Sequence, residues 1–495
     1  MLLRQYHDPK LAQYAYLVGC QATGEALLID PERDIDRYVS AAEAEGLRIT
    51  AVAETHIHAD FLSGAREFAE RYGARLYLSA EGGEEWQSNW ARGTRSDGSP
   101  YVVTFLRHGD TFRIGNIDVR ALHTPGHTPE HMSFVVVDRG GGASTPIGVA
   151  TGDFVFVGSL GRPDLLEQAA GVQGAQEESA RDLFASLPLF TDLEDHLQVW
   201  PGHGAGSACG KGLGAVPVST VGYEKRYNPA LAEADEGEAH FVAAILAGQP
   251  EPQTYFARMK RDNRDGVPLL GELPEPKQLD APGLRAALAA GAWTVVDSRL
   301  DRDAFMRRHL PGSLYAPLNK SFNTVVGSLV VDETTPLLMI VDGDRVEEAV
   351  RDLVRIGYDE IPAYATPETL EAHFAAGGAS ASIPQVSFDE VAELRRDPAV
   401  HVLDVRLASE HAEGHVPDSI NASYTRLPLY LPERVPRDGA LLVHCQTGAR
   451  SAAAAAYLAR EGRDVRFVGE PWSAWVDGGH EVERGAPDEA FAEGA

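Results

Sequence analysis

The sequence predicts a multidomain α/β chain, and three observations carry that reading. Short apolar strands alternate with amphipathic helices over roughly the first 260 residues, two proline-bearing connectors follow, and the pieces they delimit repeat each other. A length of 495 residues points the same way, because a single domain usually holds roughly 100 to 200.

The strands of the first part are β-branched, apolar runs bounded by turn residues: Tyr14–Cys20, Ala26–Asp30, Ile49–Thr55, Arg75–Ser79, Ile117–Leu122, Met132–Val137, Gly148–Thr151 and Gln198–Trp200. Helical periodicity appears at Ile35–Ala44 and Gly64–Tyr72. From Asp262 to Pro276 three prolines and several acids replace any periodicity, which reads as a connector, and Gly377–Gln385 is a second. Domains are therefore expected at 1–261, 277–376 and 386–490. The second and third share words. Val295–Leu300 answers Val402–Leu407, His309–Ser313 answers His415–Ser419, and Leu337–Val341 takes the place of Leu441–Cys445 without its cysteine.

Composition narrows the function. A net charge of −29 without a Lys/Arg cluster opposes nucleic-acid binding and favours solubility. Three widely spaced cysteines argue against a disulfide framework and for a reducing compartment. The first residues lack the apolar core of a signal peptide, and no apolar run reaches the roughly 20 residues of a membrane span. A cytoplasmic enzyme without a membrane partner is expected.

Four strand-end words carry metal-ligand chemistry. After the strand ITAVAE, His56, His58 and Asp60 alternate, so an extended exit places them on one face, poised for one metal or two. His127 follows Pro125-Gly126, Asp153 follows Thr151-Gly152, and His203 follows Pro201-Gly202. Cys209, six residues past His203, is either a small buried residue or a thiol that takes part in chemistry near the metal. Cys20 reads as core.

In its words and their order, this ensemble resembles the metallo-β-lactamase fold family over roughly residues 1–260, which implies an αββα sandwich. Phe61 stands where dinuclear members carry a histidine, and a benzyl group cannot ligate, so a mononuclear site is expected. The single-metal subgroup it resembles is the persulfide dioxygenases related to glyoxalase II. That resemblance implies one Fe(II) per chain on His56, His127 and Asp153, with His58, Asp60 and His203 as surrounding or alternative ligands. A facial triad of this kind leaves positions for O2 and a substrate. The implied reaction oxidises a low-molecular-weight thiol persulfide with O2 to sulfite and free thiol, as in hydrogen sulfide detoxification. Gly161-Arg162-Pro163-Asp164 matches a word of the subgroup, as do Ser219-Thr220-Val221 and Asn228-Pro229, and Arg162 either orients an anionic substrate or pairs with Asp164. Beyond His203 the run GAGSACGKGLG departs from the glutathione persulfide enzymes, so glutathione, coenzyme A and other small thiols all stay open as carriers. The alternative is a zinc hydrolase of the glyoxalase II type on His56, His58 and His127. A third reading is a sulfane-sulfur carrier whose metal is structural.

The second chemical word is Cys445-Gln446-Thr447-Gly448-Ala449-Arg450, between an apolar strand and the helix former Ser451–Arg460. At such a turn, loop amides and the helix dipole favour a thiolate over a thiol. Gly448 permits the turn, Arg450 braces it and attracts anions, and Ser451 caps the helix. With Asp404-Val405-Arg406, Gly414–Pro417 and Trp475, this loop resembles the rhodanese family over about residues 385–490. Related phosphatases place five residues between Cys and Arg, whereas four stand here, which fits a sulfur atom better than a phosphate. The resemblance implies sulfur transfer involving sulfite or thiosulfate. The middle piece resembles the same fold without its cysteine and reads as a spacer or docking module. The full expectation is a metallo-β-lactamase sandwich followed by two rhodanese-like α/β domains with parallel sheets, assembled as a homo-oligomer.

Overall fold

Apolar strands that must bury one face each pair into two six-stranded sheets in the first part of the chain. The computed structural model describes residues 1–165, 174–291, 293–431 and 433–485, so the end of the third expected domain, residues 486–490, lies outside the described residues. Two compact units emerge, Met1–Glu272 with Val354–Gly357, and Leu273–Leu353 with Tyr358–Ala495.

In the first unit one sheet runs Leu2–Asp8, Gln13–Cys20, Glu25–Ile29, Arg48–Ala53, Arg75–Ser79 and Val103–Leu106, antiparallel at first and parallel from Glu25–Ile29 onward. The other orders Ser219–Thr220, Gln198–Pro201, Gly148–Gly152, Met132–Asp138, Ile117–His123 and Thr111–Ile114. Tyr16, Leu27 and Tyr77 of the first sheet meet Val119, Phe134 and Trp200 of the second in one buried layer. Tyr38 and Phe68, from the helices Asp36–Ala44 and Ala65–Tyr72, cover the outer face of the first sheet. Leu183 and Phe241, from Ala175–Thr191 and Glu238–Leu246, cover the second. The result is helix, sheet, sheet, helix.

Every strand and helix expected in this part is present within two residues of its bounds. The strand Leu2–Asp8 was not foreseen, because a polar edge strand shows no alternation. Asp262 does not open a connector: it lies inside the helix Phe256–Asp265, whose Asn263 turns inward. Its apolar contacts are few per turn, so periodicity was weak.

The second unit holds two five-stranded sheets whose strands are parallel throughout. Both follow one order, first, fifth, fourth, second, third strand. Local bonds repeat as well. Arg299 forks onto Asp297 as Arg406 forks onto Asp404, and His309 Nδ1 donates to Phe305 O at 2.8 Å as His415 Nδ1 does to His411 O. Among the described residues, no helix is long and apolar enough to cross a membrane.

Phe134 is fully buried between the two sheets of the first unit. Phe134→Ala is expected to cost about 3–5 kcal/mol, and Phe134→Leu clearly less, read as shifts of the urea midpoint by tryptophan fluorescence.

Candidate metal centre and cysteine loop

All four metal words sit where strands end. The loop His56–Asp60 follows Arg48–Ala53, His127 follows Ile117–His123, Asp153 follows Gly148–Gly152 and His203 follows Gln198–Pro201. Met132 N donates to Thr55 O at 2.7 Å and Tyr16 Oη to Pro201 O at 2.8 Å, so these ends are fixed to one another. Gly202 allows the close approach: a Cβ there would come within 2.4 Å of Asp153 Oδ1.

His56, His127 and Asp153 converge. Their Nε2 atoms lie 3.9 and 3.5 Å from Asp153 Oδ2, which is buried and has no hydrogen-bond partner. The protonation of both rings follows from their other nitrogens. Asp30 can only accept, so Thr55 Oγ1 donates to it at 2.8 Å and in turn receives the proton of His56 Nδ1 at 2.9 Å. His127 Nδ1 donates to the Arg162 carbonyl at 2.9 Å. Each ring is left with a lone pair on Nε2, aimed toward the orphaned carboxylate oxygen. Burial, reinforced for His56 by neighbouring histidines, pushes both rings below their ordinary values, which keeps them neutral. Two neutral imidazoles and an unsatisfied carboxylate within one small volume are the donor set of a divalent metal.

His203 plays another part. Nδ1 meets Asp153 Oδ1 at 2.7 Å and Nε2 meets Asp60 Oδ2 at 2.8 Å, so both nitrogens donate and the ring is an imidazolium. Burial opposes that charge, yet the two carboxylates push its pKa up to about 10. Burial opposes the charge of Asp153 as well, yet His203 foremost, with His127 and His58, holds its carboxyl well below the usual carboxylate range. His58 turns away from the convergent set. Its Nε2 faces Glu54 at 3.1 Å and Asp30 at 3.3 Å, and its ring packs on Phe61 at 4.3 Å. Asp60, His203 and Cys209 form a separate buried group, and burial followed by Asp60 and Asp153 raises the Cys209 thiol well above its ordinary value.

Arg162 is buried with its donors engaged, forking onto Asp164 at 2.8 and 2.6 Å and reaching Ala208 O at 3.0 Å. It thereby ties His127, through its own carbonyl, to the Cys209 loop. Four supporting residues escaped sequence reasoning. Asp30 takes Thr55 N and Oγ1 from a left-handed backbone, φ 52°. Glu130, raised to about 7 by burial, accepts Ile57 N at 2.7 Å, and His131 Nε2 accepts Asp153 N at 3.0 Å. Both lie just behind His127 in sequence, which was the available signal. Asn263 bonds His58 O, Phe61 O and Ser63 N, and nothing local announces it.

In the second unit Cys445 leaves the strand Ala440–His444 fully buried, and Gly448 N donates to its Sγ at 3.2 Å. Gly448, φ 86°, is the N-cap of the helix Ala449–Arg460. Ser451 does not cap: its hydroxyl turns back to the Gly448 carbonyl at 3.2 Å, because Gly448 has already supplied the turn. Arg450 forks onto Glu410 at 2.5 and 2.7 Å. Gln446 O accepts Trp472 N at 2.9 Å, while Gln446, Thr447 and Ala449 are exposed. In the repeated sheet, Asp297 pairs with Ile340 as Asp404 pairs with His444, so the next residue, Val341, occupies the place of Cys445.

The Metallo-beta-lactamase superfamily description matches residues 8–203 and the Rhodanese-like domain description matches 387–477. A solved metallo-beta-lactamase from Staphylococcus aureus subsp. aureus COL is 38% identical with a TM-score of 0.63, over 74% of this chain and 98% of that one. The mitochondrial persulfide dioxygenase ETHE1 of Bos taurus is 28% identical over 272 residues, 54% of this chain and 89% of its own. A beta-lactamase hydrolase-like protein of Xylella fastidiosa (strain 9a5c) is 29% identical over 314 residues, 58% of this chain. The chain spans 62% to 65% of the length of this protein and its counterparts in Agrobacterium fabrum and a second Xylella strain.

Thr55→Val removes the hydroxyl that holds the His56 tautomer without touching a ligand. Metal affinity is expected to fall roughly 10- to 100-fold in a competition titration, and the metal-free protein should lose about 1–3 kcal/mol of stability because Asp30 Oδ2 loses a buried donor. Asp153→Ala is expected to abolish stoichiometric metal.

Proposed function

The chain belongs to the metallo-beta-lactamase superfamily and carries a rhodanese-like domain, and from that premise we propose that it is a persulfide dioxygenase coupled to a sulfurtransferase. One observation carries the reading: two neutral Nε2 lone pairs face an orphaned carboxylate oxygen, while the remaining histidines of the motif are committed elsewhere. Phe61 supplies no second-metal ligand and His58 is held by two carboxylates, which weighs against a dinuclear hydrolase. The Bos taurus relative is named a persulfide dioxygenase, which supports the choice of iron.

Bound to His56, His127 and Asp153, Fe(II) would supply open positions at which O2 and a persulfide sulfur react. The balanced reaction takes a thiol persulfide, O2 and water to the thiol, sulfite and two protons. Around that chemistry the chain's own residues fix ring tautomers, keep His203 positively charged between two carboxylates, and hold the Cys209 thiol beside that pair. We assign 1–261 to this reaction, 277–376 to a cysteine-less rhodanese-like module and 386–490 to sulfur transfer. There the Cys445 thiolate attacks the sulfane sulfur of a donor, an S–S bond forms, and the leaving group departs with the electron pair of the broken bond. Sulfite then attacks the outer sulfur, giving thiosulfate and returning the thiolate. The reverse direction loads Cys445 from thiosulfate.

Protein purified without oxygen is expected to hold one iron per chain and to consume O2 with glutathione or coenzyme A persulfide, forming sulfite. A chelator should remove both iron and uptake. Zinc together with thioester cleavage in the absence of O2 would replace this reading with the hydrolase. Cys209→Ala is expected to lower oxygen uptake at unchanged iron content, and unchanged turnover would remove Cys209 from the reaction.

A further inference from the structure

Arg302 lies in the cysteine-less module, yet its guanidinium reaches the cysteine loop of the other module in the same unit. Nη1 donates to Thr447 O at 3.1 Å and Nη2 to Gly469 O at 3.3 Å, and the guanidinium lies 5.3 Å from the Phe467 ring. The fit is close. A Cβ on Gly448 would stand 2.4 Å from Arg302 Nη1 and 2.6 Å from Gly469 O, so glycine there answers to the arginine as well as to its own positive φ.

The Thr447 carbonyl and the Gly448 N–H belong to one peptide unit. That unit is trans, since no cis bond occurs among the described residues, so its C=O and N–H point in opposite directions. On one side stands Arg302, and on the other Gly448 N donates to Cys445 Sγ at 3.2 Å. A cation on the carbonyl oxygen polarises the amide and strengthens its N–H as a donor. It also fixes the plane, which could otherwise rotate about the flexible glycine.

We propose that Arg302 is a positioning residue lent by the cysteine-less module, which orients and polarises the Thr447–Gly448 peptide so that it stabilises the sulfur anion of Cys445 and of its persulfide. This gives the module a role in the chemistry, deepening the sulfur-transfer reading on which the persulfide part rests. A cavity of about 370 Å³ beside the contact is lined by residues of both modules, among them Arg302, Tyr315, Asn319, Tyr424 and Arg450. Tyr424 and Arg450 both lie within electrostatic reach of the Cys445 thiol.

Other charged or titratable groups surround the loop and are fixed by their own partners. Arg450 is paired with Glu410, Arg406 with Asp404, and His444 lies 3.7 Å from Asp404. Glu470 accepts Phe388 N, Tyr424 is buried, Asp301 accepts Ala304 N, and Asp303 lies 3.6 Å from Arg302 Nε, which leaves Nη1 and Nη2 on the two carbonyls. Arg302 is the cation set on the carbonyl side of the peptide that faces sulfur.

The test titrates the Cys445 thiolate in the full chain by its ultraviolet absorbance, as the difference between each protein and the same protein carrying Cys445→Ser. Arg302→Ala is expected to move the midpoint upward by roughly half to one pH unit, a three- to tenfold loss of thiolate below it. Arg302→Lys keeps a cation but cannot fork onto two carbonyls, so its midpoint should fall between, and it carries the test if the alanine variant does not fold. Midpoints coincident with the parent would overturn the proposal. Thiosulfate–cyanide turnover of the parent is measured separately. Its absence removes the sulfurtransferase reading, while the titration still decides the role of Arg302.

Discussion

Asp153 places a carboxylate where none of it reaches solvent, and a charge so buried destabilises a fold by several kcal/mol unless it is matched. Three strand-end loops answer that demand, through His203, Asp60 and His131. The His203 imidazolium takes one carboxylate oxygen and itself needs a second carboxylate, which Asp60 supplies. His131, neutral, receives the Asp153 backbone N–H. The other carboxylate oxygen is left without a donor, facing two imidazole lone pairs. No proton can satisfy that oxygen cheaply, because neighbouring positive charge holds the group ionised. A divalent cation satisfies the oxygen and both rings at once, and this is why the loops converge as they do.

Much of this was legible in the sequence, for reasons that differ by residue. Strands such as Met132–Asp138 are buried on both faces, so their apolar runs stand out. His56, His127 and Asp153 each follow a strand, and strand ends gather at one rim of a sandwich whatever the loop lengths. What could not be read was direction. His56 and His58 share a face in an extended exit, but Asp30 and Glu54 draw His58 Nε2 to themselves. Asn263 was read as part of a connector because its three bonds reach residues about 200 positions away. Arg162 offered two readings in the sequence, and its geometry favours the clamp, since its donors are already taken up within the protein.

The repeated words of the second unit were visible for a related reason. Asp297–Arg299 and Asp404–Arg406 are local forks at the end of a strand, so they survive as short motifs, and the duplicated sheet order follows them. The cysteine is not among the repeated residues. Val341 stands at matched register, and Asp342, Asp344 and Arg345 follow it. An arginine at 302 carries no motif, because its partners are backbone carbonyls more than 140 residues away.

The two cysteines near the proposed chemistry are therefore not interchangeable. Burial, followed by Asp60 and Asp153, raises the Cys209 thiol well above its ordinary value, so it holds its proton and is poorly suited to attack. Cys445 instead accepts the Gly448 backbone N–H at the start of a helix. On these grounds the sulfur transfer proposed above is assigned to Cys445 rather than to Cys209. Burial, then Asp60, then Asp153 keep the Cys209 thiol protonated, and Asp60 is there because the His203 imidazolium that matches Asp153 needs a second carboxylate.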